Sequence, residues 1–463
     1  MSDYIKELYK KGEAAYWAIA DYTQEQIDAM LEKMALRTYQ NATELGTMVA
    51  EETRMGDAAT SIGSMQRFPL FVWHYLKGKN AFGLLEDNQE TKIQTYGKAR
   101  GVVACLTPST THISNGFEMC MKAVKSGNAI IIAPHPRAWK SAKRLVEILS
   151  AAVKEAGGPD NLIQSVEEPT IQMTDELMAV CDVVVGTGGA DMVKAAYSSG
   201  TPAFGVGQGN VPVILSESYP AEEMAKAIAT IAMDRWLAGG VACTSPQFIF
   251  CPRSRKDEVL ELYKKNGAYY IEDKKTIDRI RDVCFPDGNG RINRSIVGIN
   301  AMKLADAYEV KVPEGTRLFL LKMEDGTIAE DDLLYHEIMN PTSRIQFYDD
   351  YKTAVELARK NLFFEGAGHS AQIWSYDQDE IDYAAKRLPV VRVLVRQGAN
   401  GVSNLTLQNG LAPSTSVGCG TWGGNGFSDN TNYTTLQNHT MVIYPLREPK
   451  IPTFEEVFGS QEA

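Results

Sequence analysis

Asp182-Val183-Val184-Val185-Gly186-Thr187-Gly188-Gly189, followed by Met192-Val193-Lys194-Ala195-Ala196-Tyr197, is the stretch that decides the fold. An apolar run without polar alternation reads as a strand buried on both faces. It stops in glycines, and a helical segment follows. The same order recurs along the chain. Val102 to Leu106 is a second short apolar run, and Ala129 to Ala133 is a third, bounded by Gly127-Asn128 and Pro134. Ser141 to Ala156 reads as a helix with Leu145, Leu149, Ala152 and Val153 on one face and Gly157-Gly158 as its stop. Val211 to Leu215 is another strand. Pro220 opens a longer helix whose buried side is Met224, Ile228, Ile231 and Trp236, and Gly239-Gly240 ends it. Strands alternating with helices predict an α/β fold, a parallel sheet covered on both faces.

Working outward, Thr23 and Gln26 have capping-box spacing ahead of Ile27, Met30, Leu31 and Met34. Glu86 to Tyr96 is polar and turn-rich and reads as a hairpin or projecting arm. The tail alternates near Met441 to Tyr444 and then turns Pro-rich and acidic. At 463 residues the chain exceeds one ordinary core. The expected division is 1–237 with an arm at about 86–99, then 238–425, then a C-terminal segment 426–463 that partly returns to the arm.

Composition narrows the function. The net charge of -11 carries no basic stripe, which argues against nucleic acid as a partner. No run of ~18 apolar residues is present, so no membrane span is expected. Residues 1–20 lack the apolar core of a secretory signal. The 7 cysteines are scattered without a CxxC and the 6 histidines lack ligand spacing. A reducing, cytoplasmic setting with free thiols and no metal site is expected.

One of those thiols has a distinctive setting. Cys243 lies in Gly239-Gly240-Val241-Ala242-Cys243-Thr244-Ser245, where glycines and small residues let backbone amides approach a sulfur and an oxyanion. A thiolate is an effective covalent catalyst because its thioester is readily cleaved. A lone cysteine is more often a small buried hydrophobe. Gly186-Thr187-Gly188-Gly189 and Gly205-Val206-Gly207-Gln208-Gly209 are phosphate-loop candidates but do not fit the dinucleotide fingerprint, so each alone reads as a tight turn.

Taken together, these segments resemble the aldehyde dehydrogenase superfamily, most closely its CoA-acylating branch. The resemblance runs from about Tyr22 to Asn430. Its best stretches are Ala133-Pro134-His135-Pro136-Arg137-Ala138, the glycine turn through Gly200, Gly205 to Pro212, Ala242-Cys243-Thr244-Ser245, His336-Glu337-Ile338-Met339-Asn340-Pro341, and Val417 to Asn425. The resemblance implies a Rossmann-type cofactor domain, an α/β catalytic domain and a small β-arm for a homodimer or homotetramer. It implies NAD or NADP as cofactor, with a small aldehyde and CoA as co-substrates. Cys243 then matches the nucleophile and Glu337 the acid that holds the nicotinamide ribose. Thr107, Pro108 and Ser109 match the loop beside the nicotinamide. His135, Pro136 and Arg137 match the segment near the adenosine ribose, and Thr187, Gly188 and Gly189 the turn near the pyrophosphate, with Gly207 in the second glycine loop.

Two departures refine the expectation. Hydrolytic members carry a Glu where this chain has Val206, and a valine cannot activate water. The acyl-enzyme is therefore expected to wait for the CoA thiol. The acylating branch usually places an Asn where this chain has Thr111, so the Thr111 hydroxyl and the Cys243 amide are the expected oxyanion donors. Asn115 stands too far along to substitute. His112, Arg344, Arg392 and Arg396 are candidate cations for a short anionic aldehyde, sulfoacetaldehyde first, with succinate semialdehyde, acetaldehyde and propionaldehyde as alternatives. Arg137 and Lys140 are candidates for a 2′-phosphate. Competing classes are a hydrolytic aldehyde dehydrogenase and a non-oxidative cysteine acyltransferase.

Overall fold

The computed structural model describes residues 1–448 and 450–459. Four helices open the chain: α1 (Asp3–Ala18), α2 (Gln24–Gln40), α3 (Ala42–Thr53) and α4 (Ala58–Leu76). The capping box read from Thr23 and Gln26 forms at the start of α2, and Ile27, Met30, Leu31 and Met34 are buried. Strands β1 (Gly83–Asn88) and β2 (Ile93–Ala99) make an antiparallel hairpin. Then come β3 (Val102–Thr107), α5 (His112–Lys125), β4 (Ala129–Pro134), α6 (Trp139–Glu155), β5 (Ile163–Ser165), α7 (Ile171–Val180), β6 (Val183–Thr187), α8 (Ala190–Ser198) and β7 (Ala203–Val206). These strands form a parallel sheet in the order β5-β4-β3-β6-β7. Every residue of β3 and β4 is buried, as continuous apolar runs require.

A second parallel sheet contains β8 (Val211–Leu215), β9 (Pro246–Pro252), β10 (Ala268–Ile271), β11 (Leu318–Lys322), β12 (Thr342–Tyr348), β13 (Gly368–Trp374) and β14 (Val390–Val395). Its order is β10-β11-β12-β9-β8-β13-β14. Helix α9 (Ala221–Trp236) packs on it, with Met224, Ile228 and Ile231 against Val213, Leu215 and Ile249. The α/β expectation therefore holds, with one parallel sheet in each of the two halves.

The expected boundary at 237 does not match the sheet membership. The chain leaves the first sheet after Val206 and enters the second at Val211, so β8 and α9 both belong to the second half. The apolar side of α9 needs a sheet to cover, and β8 finds its hydrogen-bond partners in β9 and β13 rather than in the preceding strand. Gly239-Gly240 is a turn within that half. There Gly239 and Gly240 have φ of 71° and 69°, and a Cβ at Gly239 would collide with the Gly298 backbone. The last strand, β15 (Gln437–Ile443), pairs antiparallel with β2 and completes a three-stranded arm. Among the described residues no helix is long and apolar enough to cross a membrane.

Candidate active site

In the first sheet β3 has β4 on one side and β6 on the other, so the crossovers leave it in opposite directions. In open parallel sheets a crevice opens at the carboxyl ends of the strands at such a point. Here that crevice is a cavity of about 570 Å³. Thr107 ends β3 and Thr187 ends β6, and both line it. The Thr107 hydroxyl is buried without a partner. Pro108, Ser109 and Thr111 follow along the wall, and Thr111 occupies the N-cap of α5 without a side-chain capping bond. Gly188 and Gly189 line the cavity at the start of α8, where Gly189 is the N-cap and a Cβ would meet only open space. The amides of that first turn are therefore accessible to an anion, as a pyrophosphate requires.

The second half closes the cavity. Cys243, Glu337, Gly207, His135 and Arg137 all line it, together with Thr110, Thr244, Asn400, Ser403, Ser414 and Thr415. Of the residues selected from sequence, Pro136 alone is absent from the wall. Glu337 is the one carboxylate lining it among the described residues.

Burial sets the charges. The Cys243 thiol is pushed up to about 12, by burial first and then by the neighbouring Glu337 and Cys419. Glu337 is raised to about 8, by burial first and by the Glu365 carboxylate second; Arg235, the Gly209 N–H and Arg344 pull the other way. Glu365 is the hub beneath this site. It accepts from Gln208 Nε2 at 2.5 Å and from the Glu337 N–H, and its carboxylate lies 3.3 Å from His336 Nδ1. Arg235, fully buried, donates to Ser245 Oγ at 3.1 Å and to the carbonyls of Ile338 and Asn340. It thereby ties the cysteine loop to the Glu337 loop.

The expected cations are placed elsewhere. His112 is buried, accepts or donates one hydrogen bond with Ser141 Oγ at 2.7 Å, and is lowered to about 4 chiefly by burial, so it is neutral. Arg344 is buried and donates to Gln247, Asn210 and the His336 carbonyl. Arg392 holds Asn430 and the carbonyls of Gly418 and Ser428. Arg396 donates to the Ser375 carbonyl and stacks on Tyr376. None of these four lines the cavity, and each is held by backbone or side-chain groups elsewhere. Lys140 lies outside the wall as well, near the Trp139 ring.

Several residues of consequence were not selected from sequence. Asn115 Nδ2 donates to Thr415 Oγ1 at 3.0 Å and Ser416 Oγ at 2.7 Å. Glu118 and Lys122, a buried pair 3.2 Å apart, bind Ser414 and Thr415 from below. Together these three side chains fix the turn that roofs one end of the cavity. His369 is buried with Nε2 unpartnered, and a Cβ at Gly209 would clash with the Cys243 carbonyl and lie 3.0 Å from the His369 ring. No local pattern marks His369; β13 brings it beside the cysteine loop by pairing with β8.

The chain matches the aldehyde dehydrogenase family over residues 2–273. It is 38% identical over 455 residues to the succinate-semialdehyde dehydrogenase (acetylating) of Clostridium kluyveri, covering 98% of this chain and 99% of that one. It is 32% identical over 459 residues to the sulfoacetaldehyde dehydrogenase (acylating) of Bilophila wadsworthia, covering 98% and 97%. The crystal structure of an acetylating aldehyde dehydrogenase from Geobacillus thermoglucosidasius superposes with a TM-score of 0.91 at 30% identity, over 97% of this chain and 98% of that one. With Cys243, Glu337 and the glycine turn of α8 lining one cavity, this chain belongs to the aldehyde dehydrogenase family, on its acylating branch.

Proposed function

We propose that the protein oxidises a short aldehyde with NAD(P)+ and CoA to an acyl-CoA, reversibly, through a thioester on Cys243. The observation that carries this reading is that Cys243 opens onto a cavity whose single carboxylate is Glu337, while Val206 is packed among Leu394, Val402 and Val417. A site with no spare base for water leaves the thioester to an incoming thiol.

The residues divide the work as follows. Thr107, Pro108 and Ser109, the α8 amides at Gly188-Gly189, and Glu337 hold the nicotinamide nucleotide, whose ring accepts hydride when bound. The Thr107 hydroxyl, buried and without a partner in the protein, has a donor to give it. Cys243 gives its proton to solvent water and its sulfur adds to the aldehyde carbon. The resulting oxyanion is met by the Thr111 hydroxyl and the Cys243 N–H. Loss of hydride leaves the thioester. The CoA sulfur then adds, the Cys243 sulfur departs and regains a proton, and acyl-CoA leaves.

The aldehyde's tail faces neutral donors rather than arginine. Thr110, Thr111 and Asn400 have no side-chain hydrogen bonds of their own, whereas Thr415 is engaged by Glu118 and Asn115. We infer a short acid-bearing aldehyde, succinate semialdehyde or sulfoacetaldehyde, held by these hydroxyl and amide groups. Two relatives named for such substrates support this reading. The arm supports a homo-oligomer: β15 presents Met441 and Ile443, 60% and 67% exposed, along an edge strand.

Following reduced-cofactor absorbance with and without CoA tests the reaction. Wild type should give about one turnover per chain without CoA and then stall, resuming when CoA is added. Sustained fast turnover without CoA would mean hydrolysis, and no oxidation at all would leave an acyltransferase. A panel of the two acid-bearing aldehydes against acetaldehyde and propionaldehyde tests the substrate. A tenfold kcat/KM preference for the neutral pair, about 1.4 kcal/mol, would exclude the acid-bearing class.

A further inference from the structure

Three hydroxyl residues in a row, Ser414, Thr415 and Ser416, form the turn that roofs one end of the cavity, and the first two line it. A hydroxyl has one proton to give. Thr415 Oγ1 donates to Glu118 Oε1 at 2.8 Å and accepts from Asn115 Nδ2 at 3.0 Å. The Thr415 N–H goes to the same Glu118 oxygen at 2.9 Å. Ser414 Oγ accepts from Lys122 Nζ and from the Ser416 N–H, each at 3.0 Å. Its proton is left for Glu118 Oε1 at 3.2 Å or the Ser416 carbonyl at 2.9 Å. Ser414 and Thr415 therefore have no hydroxyl proton left for a ligand. Glu118 is fully buried, and its other oxygen lies 3.2 Å from Lys122 Nζ. A buried carboxylate is costly to desolvate even when paired, and neutral groups alone can hold a turn.

We propose that Glu118 is a positioning residue that fixes the direction in which an acid-bearing aldehyde binds. The proposal rests on the reading of the substrate as such an aldehyde. By holding the Thr415 proton, Glu118 denies an acid group a hydroxyl donor at the roof. An acid placed there would meet an oxygen with no hydrogen to give, bonded to a carboxylate. The donors left on the wall include Thr110 and Asn400, so the acid end goes to them and the aldehyde carbon is left to Cys243. Glu118 does not line the cavity and acts through Thr415. Without its carboxylate, the released Thr415 proton would give an acid group a second place to bind. An aldehyde held by its acid end at the roof is bound unproductively, which lowers kcat and KM by the same factor and leaves kcat/KM in place.

Calorimetry with succinate, a probe with acid groups and no aldehyde, reads the roof without turnover. The double variant Glu118→Met/Lys122→Met, which exchanges a buried ion pair for apolar chains of similar length, should bind succinate about threefold or more tightly than wild type. Glu118→Gln, with the shape kept and the charge lost, should move it the same way by a smaller factor. With succinate semialdehyde the double variant should lower kcat and KM together by about threefold, relative to acetaldehyde on the same variant, with little change in kcat/KM. Adding Thr415→Val should remove most of both effects, because the released proton is then gone; a merely loosened turn would keep them. The proposal is overturned if succinate binds no more tightly in either variant, if kcat falls while KM rises, or if Thr415→Val leaves the effects in place. Should wild type prefer the neutral aldehydes while succinate still binds more tightly to the variants, the acid-bearing substrate is overturned, and Glu118 stands as the group that keeps anions from the roof.

Discussion

At the scale of the residue, Cys243 is the decisive group. Burial, and then the neighbouring Glu337 and Cys419, push its thiol up to about 12, so at neutral pH it is protonated. Alkylation by iodoacetamide should therefore climb steadily between about pH 7 and pH 10 without a plateau. Cys243→Ala should lower turnover by roughly 10⁴-fold or more while nucleotide binding, read by fluorescence titration, persists; appreciable dehydrogenase turnover in that variant contradicts the role. Glu337 gives a second prediction with a definite sign. A carboxyl raised to about 8 on folding stabilises the fold while it is protonated. That contribution is complete below the ordinary Glu value of about 4.3 and is lost as pH rises through about 8. The stability of wild type relative to Glu337→Gln, measured by urea midpoints, should fall between about pH 5 and pH 8. The same variant removes a negative charge beside the thiol, so Cys243 should alkylate faster in it at about pH 9. A flat stability difference would show that Glu337 titrates normally.

The element that matters most is the segment that carries the chain from one sheet to the other, Gly207 to Asn210. It borders the cavity at Gly207 and Gln208 and passes the Cys243 carbonyl and His369 at Gly209. Gly209→Ala must displace one of these, so kcat should drop by on the order of tenfold or more, as misplacing the reacting atoms by about 1 Å does. Unchanged kcat would place Gly209 outside the catalytic geometry. The preceding residue of note, Val206, is fully buried in an apolar cluster. A Val206→Glu carboxyl would be trapped there, at a cost of roughly 2–7 kcal/mol for an unsatisfied buried polar group. The sequence suggests that this substitution restores hydrolysis; the packing instead predicts a destabilised protein with no gain in CoA-independent turnover. A thermal melt and the assay without CoA decide between the two.

At the scale of the whole molecule, both parallel halves contribute residues to the cavity, and the arm is a third, separate sheet. The arm's outer strand exposes Met441, Val442 and Ile443, and Tyr444 just beyond it is exposed as well. A contiguous apolar edge of this kind is what an interface between copies needs. Ile443→Lys, read by light scattering, should shift the mass towards a single chain while leaving the circular dichroism spectrum intact. A mass unaltered by that substitution would locate any assembly elsewhere.

Local sequence determined the alternation of strand and helix, the capping box at Thr23, the arm hairpin and the loops around Cys243, because periodicity, caps and glycines act over a few residues. Segment matches against a known family supplied the selection of Thr107, Thr187, Gly188 and Glu337, and twelve of the thirteen residues so selected line one cavity. Tertiary structure alone decided which sheet received β8, because strand pairing is a long-range choice that no local pattern encodes. It also decided the charge of His112 and the employment of Arg344, Arg392 and Arg396, since burial and available acceptors, rather than residue type, determine whether a cation reaches a site. His369 beside Gly209 and Glu365 against the Glu337 N–H were invisible for the same reason. Each comes from an element distant in sequence, and only the packing of the chain sets it against a residue of the cavity or its loops.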